Sequence, residues 1–236
     1  MKKKLLIIII LISFFQLSVS ANTYFDYPSS NLDNQCSWTV LFYLAADNPR
    51  SYEIDNNLDL WKSFATSDQI NLIALVDGSE QNDTSLYQFR NETIIDLNWL
   101  ESESDMGDKD TLFCFLNTSL SLFPAEHYAL FIMSTHGSGW QGLGSDTSGI
   151  DSYEKLTLLD LNDYKQVLEN IQKDFSCDID VIAFDICVTG MIEVAYQIKD
   201  YCTYMIGTEE HGFSELAVSD EGVHGFGQVR VPAQAI

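Results

Sequence analysis

The chain has 236 residues, 46% of them hydrophobic and 12% aromatic, which suits one globular domain with a sizeable core and leaves little room for two. Its formal net charge of -23 repels nucleic acid and anionic membrane and attracts cationic ligands, so neither a nucleic-acid partner nor a membrane-surface role is expected.

The first residues, MKKKLLIIIILISFFQLSVSA, join three lysines to an apolar run and end in small residues. This is the pattern of a secretory signal peptide over residues 1–21, and the apolar core falls short of the ~20 residues a spanning helix requires. A secreted or extracytoplasmic chain is expected, with residues 22–236 as one domain and no membrane attachment after cleavage. Loss of Lys2, Lys3 and Lys4 takes the formal charge from -23 to -26.

WTVLFYLAA from Trp38 and INLIALVD from Ile70 are rich in strand-forming apolar residues and bounded by polar turns, so both read as buried strands. Ile54, Leu58, Trp61 and Phe64 recur between them at helical spacing, which gives a βαβ unit and favours a parallel sheet. TSLYQFR and TIIDL flank Asn91-Glu92 and read as an edge hairpin. DMGDKDTLFCFLNTSLSLFP opens with acids, carries apolar residues at Leu112, Phe115, Leu116 and Leu120, and closes with Pro124, as a helix should. YALFIMS from Tyr128 is a third core strand running into THGSGW. The Gly-, Ser- and Asp-rich stretch from Trp140 to Leu156 reads as an exposed loop. A helix over about 158–171, the strand IDVIAF, a helix over about 189–198 and the strand TYMIG complete an α/β sandwich with a mostly parallel sheet.

In such sheets ligands bind beyond the carboxyl ends of the strands. Three strands deliver polar groups there: His136 and Gly137 after one, Asp185 and Cys187 after the next, Glu209 and Glu210 after the last. A thiol between a strand and a helix N-terminus is expected to have a lowered pKa and to act as a nucleophile. His136 is placed to protonate a departing amine, and the amides of Gly137 and Cys187 to hold a carbonyl oxygen as it gains charge. Five cysteines are an odd number for an exported chain. Cys187 is the one left over if Cys36, Cys114, Cys177 and Cys202 pair among themselves. Cys177 and Cys202 each precede one of two consecutive strands, so this pair is the best placed for a disulfide.

WTVLFYLAADN, MGDKDTL, PAEHYALFIMSTHGSGW and FDICVTGMIEVAYQIKDYCTYMIGTEE closely resemble the clostripain family of cysteine peptidases, in the same order and with similar spacing. The resemblance covers roughly Trp38 to Glu210 and implies a caspase-like three-layer sandwich, a His/Cys dyad and cleavage of peptides or proteins after Arg or Lys. It makes His136 the general acid/base and Cys187 the nucleophile. It assigns Asp185 to the substrate's guanidinium or ammonium group; a helix cap is the competing role for that residue. Trp140 resembles the family's tryptophan after the His-Gly block and lines the cleft or packs its loop, and Glu209 adds negative potential or is a solvated loop acid.

Relatives activated by self-cleavage in the loop after the His-Gly block make Lys155 the candidate site here, since it is the only Lys or Arg between His136 and Lys165. The dyad needs no cofactor. Calcium dependence is known in the family, and Asp146 and Asp151 are compatible with it, although no EF-hand spacing occurs; no zinc site is expected. After GTEE the family pattern of a Gly-Trp segment and a long C-terminal region is not followed, so the chain is expected to be a fragment or a minimal version. A second class of function stays open, a catalytically silent caspase-like module that binds basic peptides or surface partners.

Overall fold

The computed structural model describes residues 36–48, 50–134, 142–146, 157–209 and 231–232, of which 143–146 and 231–232 are described as backbone. The expected signal peptide, 1–21, lies outside the described residues. In chain order these form β1 (Cys36–Ala45), a 3-10 turn (Ser51–Glu53) leading into α1 (Ile54–Phe64), β2 (Ile70–Asp77), β3 (Ser85–Arg90), β4 (Thr93–Asp96), α2 (Lys109–Leu122) and β5 (Ala125–Met133). The short strands β6 (Leu143–Asp146) and β7 (Thr157–Leu159), α3 (Leu161–Phe175), β8 (Ile179–Asp185), α4 (Ile192–Ile198), β9 (Cys202–Ile206) and β10 (Val231–Pro232) follow.

The main sheet has the order β10-β9-β8-β5-β1-β2-β3-β4. Its five middle strands, β9 to β2, are parallel, and antiparallel strands close both edges. Strands buried on both faces read as unbroken apolar runs rather than alternating ones, and the β1, β2 and β5 runs follow this. Leu41 and Tyr43 of β1 join Phe115 of α2 and Tyr164 of α3 in one core, while Leu44 and Ala46 join Trp61 of α1 in a second core on the opposite face. The result is a three-layer sandwich, as expected. Trp61 stacks on Phe42 with ring centres 4.3 Å apart, and the buried Tyr43 hydroxyl donates to the Met106 carbonyl at 2.9 Å, so the polar end of that ring is satisfied.

Local chemistry sets the boundaries. Asn91 and Glu92 both take positive φ, 50° and 54°, giving the primed turn that a tight hairpin twist demands even though Asn-Glu signals it weakly. Asp108 caps α2 by accepting from the Asp110 N–H, and Leu112, Phe115, Leu116 and Leu120 form its buried stripe. The helix expected from Leu158 starts at Leu161, because Thr157–Leu159 pairs as β7 with β6, inside the stretch read as loop. Asp160 then accepts from the N–H groups of Asn162 and Asp163 in a capping box with Asp163. On α1, Trp61 is buried but Phe64 is 65% exposed, so the apolar stripe stops a turn short of the helix end.

Cys177 and Cys202 are not joined as a disulfide in this structure. Cys202 stands opposite Ile179 in the β8–β9 register, two residues beyond Cys177 along the chain. An offset of two residues across neighbouring strands puts Cα atoms about 8 Å apart, outside disulfide reach. Burial, with Asp178 adding to it, pushes the Cys202 thiol up to about 12.

Two outcomes follow from this packing. Phe115→Ala, which empties a fully buried position, lowers the unfolding free energy by about 3–5 kcal/mol in urea titration. Alkylation in denaturant without reductant modifies both Cys177 and Cys202; a peptide pair joined by S–S in the mass spectrum would contradict the register argument.

Candidate active site

From β1 the chain crosses to β2 on one side of the sheet, whereas β5, β8 and β9 are laid down successively on the other side. The order therefore switches between β1 and β5, and an open α/β sheet forms its ligand crevice beyond the carboxyl ends at such a point. Leaving the sheet there are Asp47, Asn48 and Arg50 after β1, Ser134 after β5, Ile186 and Cys187 after β8, and Gly207, Thr208 and Glu209 after β9. β5 and β8 are in register at Met133 and Asp185, and the Ser134 N–H donates to the Asp185 carbonyl at 3.3 Å.

Cys187 is half-buried in a tight turn directly after β8. Its surroundings differ from the expected ones. The helix that follows begins at Ile192 with Met191 as its N-cap, so the thiol does not sit at a helix N-terminus and the dipole argument for its activation does not apply. A turn occupies the intervening residues, with Val188 at φ 58°, a conformation that costs a β-branched residue free energy and persists only where its neighbours enforce it.

Those neighbours are visible. The fully buried Thr189 donates its hydroxyl to the Ile186 carbonyl at 3.1 Å, and the Thr208 hydroxyl donates to the same carbonyl at 3.2 Å. The Gly190 N–H donates to the Thr208 carbonyl at 2.7 Å. A Cβ at Gly190 would lie 2.9 Å from the Thr208 carbonyl carbon, so the loop after β8 can approach the loop after β9 this closely only because residue 190 has no side chain.

Asp185 points its carboxylate at Arg50. Arg50 Nη2 lies 2.8 Å from Asp185 Oδ2 and 2.6 Å from Glu53 Oε2, while Nε donates to Glu53 Oε2 at 2.8 Å. Nη1 donates to the main-chain carbonyls of Ser134 and Asp185, each at 3.1 Å. The Arg50 side chain is only 6% exposed, that of Asp185 29%. Burial by itself lowers the Arg50 pKa; attraction to Asp185 and hydrogen bonds with Glu53 and Asp185 outweigh it and hold the guanidinium above its ordinary value. Asp185 therefore does not cap the following helix, and its carboxylate already has a cationic partner that sequence reading missed. One signal was present: Arg50 is one of three arginines in a strongly acidic chain and falls just past a core strand.

Glu209 is exposed at the end of the β9 exit. His136, Gly137, Trp140, Lys155 and Asp151 lie outside the described residues, and Asp146 is described as backbone in β6. Among the described residues one group of acids comes close enough to share a cation: Asp77, Asp83 and Glu103, with ligand atoms all within 4.8 Å. Most of that oxygen is already engaged. Asp83 accepts from the N–H groups of Gly78 and Glu80, Glu103 from the N–H of Asn82, and Asp77 from the Thr84 hydroxyl, so the cluster braces the β2–β3 turn.

Comparison with known proteins gives the same arrangement a family. The clostripain family model matches residues 42–215. Clostripain of Hathewaya histolytica is 27% identical over 202 residues, covering 72% of this chain and 37% of that protein. A secreted C11 cysteine protease from Bacteroides thetaiotaomicron, solved with an irreversible peptide inhibitor, shares the fold with a TM-score of 0.62 at 24% identity, covering 74% of this chain and 49% of its own. An inactive zymogen C11 protease from Parabacteroides distasonis gives a TM-score of 0.60 at 24% identity, over 76% of this chain and 50% of its own. The chain spans half or less of the length of these relatives. With the family model covering most of the chain and the fold matching that of the solved C11 proteases, this protein belongs to the clostripain family of cysteine peptidases.

Proposed function

We propose that the chain carries the catalytic centre of an exported cysteine endopeptidase that cleaves peptide bonds after Arg or Lys. The observation that carries this reading is the presentation of Cys187 on a tight turn at the carboxyl end of β8, beside the strand whose exit leads to His136. With Met133 and Asp185 paired in register, His136 lies three residues beyond the last pair on one strand and Cys187 two beyond it on the other. Short reaches of similar length from adjacent strands are what a dyad requires.

In the proposed reaction the Cys187 thiolate attacks the scissile carbonyl carbon, and the N–H groups of Gly137 and Cys187 take the charge that builds on the oxygen. His136 protonates the leaving amine, and a water activated by the same imidazole hydrolyses the thioester, returning the thiol. Asp185 and Glu209 supply negative potential toward a basic side chain, Trp140 contributes a wall, and Lys155 is the proposed point of self-cleavage. Export is supported by the signal-like pattern at 1–21. Among the described residues no helix is long and apolar enough to cross a membrane.

Cys187→Ala and His136→Ala each lower kcat/KM on Arg-containing peptides by at least about 1,000-fold. Unchanged cleavage by either variant would sink the dyad. A subtler test addresses the turn. Thr189→Val removes one of the two hydrogen bonds to the Ile186 carbonyl and the one from the Thr208 N–H, a loss of about 1 kcal/mol for each. It is expected to lower kcat about tenfold with KM nearly unchanged, as a misplaced nucleophile should. Thr189→Ser, which keeps the hydroxyl, restores most of the rate.

A further inference from the structure

The crevice already holds a guanidinium of its own. Asp185 is the acid that the peptidase reading gives to the substrate's basic side chain, and its Oδ2 lies 2.8 Å from Arg50 Nη2. A surface arginine in that position would exchange with a substrate guanidinium at little cost, because exposed ion pairs contribute only a small free energy. Arg50 is held differently. Its Nε and Nη2 engage Glu53, Nη2 also engages Asp185, and Nη1 spans the carbonyls of Ser134 and Asp185. The guanidinium thus makes four hydrogen bonds to protein oxygens, in a side chain 6% exposed. Displacing it would leave a buried charge without its partners and take a hydrogen bond from each of the two main-chain carbonyls it serves.

We propose that Arg50 is a specificity-determining residue: by holding Asp185 from inside the protein, it limits how much of that carboxylate's charge a basic substrate side chain can use. The inference rests on the peptidase reading above. A substrate Arg or Lys brought to the exposed part of Asp185 meets an attractive carboxylate and, behind it, a fixed like charge that offsets much of the attraction. A neutral side chain of the same shape that donates one hydrogen bond to Asp185 escapes that repulsion. Sequence spacing offers no hint of this, because Arg50 and Asp185 are 135 residues apart.

The test compares two peptides that differ only at the cleaved position, one with Arg and one with citrulline, its neutral isostere. The full chain is expected to favour Arg over citrulline by less than about 100-fold in kcat/KM, since the guanidinium offsets one of the two carboxylates it touches. Arg50→Gln raises that ratio by at least about tenfold, and adding Asp185→Asn to it removes the rise, as a coupled pair requires. Arg50→Lys keeps the positive charge and leaves the ratio near that of the unsubstituted chain.

A ratio above about 100 in the unsubstituted chain overturns the proposal without recourse to any variant. So does an Arg50→Gln protein that has an unaltered ratio and a cooperative thermal unfolding transition. If the unsubstituted chain cleaves neither peptide and an acyloxymethyl-ketone probe carrying Arg leaves Cys187 unlabelled, the peptidase reading itself fails. Cleavage of both peptides with the wrong ratio defeats only the role given to Arg50.

Discussion

The guanidinium of Arg50 is the point at which the exits of three adjacent strands are tied together. It extends from the segment after β1, accepts attraction from Asp185 at the end of β8, and donates to the carbonyl of Ser134 at the end of β5. Glu53, in the turn that leads into α1, closes the other side of the group. A buried ion cluster of this kind gives little net stability over an apolar replacement, but removing one member is costly because it leaves an uncompensated charge. Its contribution is to geometry, since the carbonyls it fixes belong to the residues immediately before the segments bearing His136 and Cys187.

The setting of Cys187, the proposed nucleophile, rests on a different device from the one its sequence suggests. A thiol at a helix N-terminus would gain thiolate character from the helix dipole, but α4 begins five residues beyond Cys187. The intervening chain is spent on a turn strained at Val188 and fastened through Thr189, Gly190 and Thr208 to the loop after β9. That strain is held by buried hydrogen bonds from a neighbouring strand exit, an arrangement that fixes where the sulfur points. Asp185 and Glu53 face one internal cation.

What the sequence determined by itself was everything governed by local pattern and by burial. The apolar runs of β1, β2, β5 and β8 specify strands whatever surrounds them, the 112, 115, 116 and 120 spacing specifies the buried face of α2, and the alternation of strands with helices specifies a parallel sheet. The strand ends placed Asp185 and Cys187 in one crevice for the same reason. The sequence reading failed where an element's fate depends on a partner distant in the chain. Thr157–Leu159 leaves the expected helix because it pairs with β6, and residues 189–191 leave theirs because the β9 exit binds them as a turn. Cys177 and Cys202 miss one another by two residues of strand register that no spacing encodes. Arg50 finds Asp185 across 135 residues only because β1, β5 and β8 lie side by side. Tertiary structure alone decided these points, because hydrogen bonds and ion pairs depend on distances of a few ångströms that only the packed sheet sets.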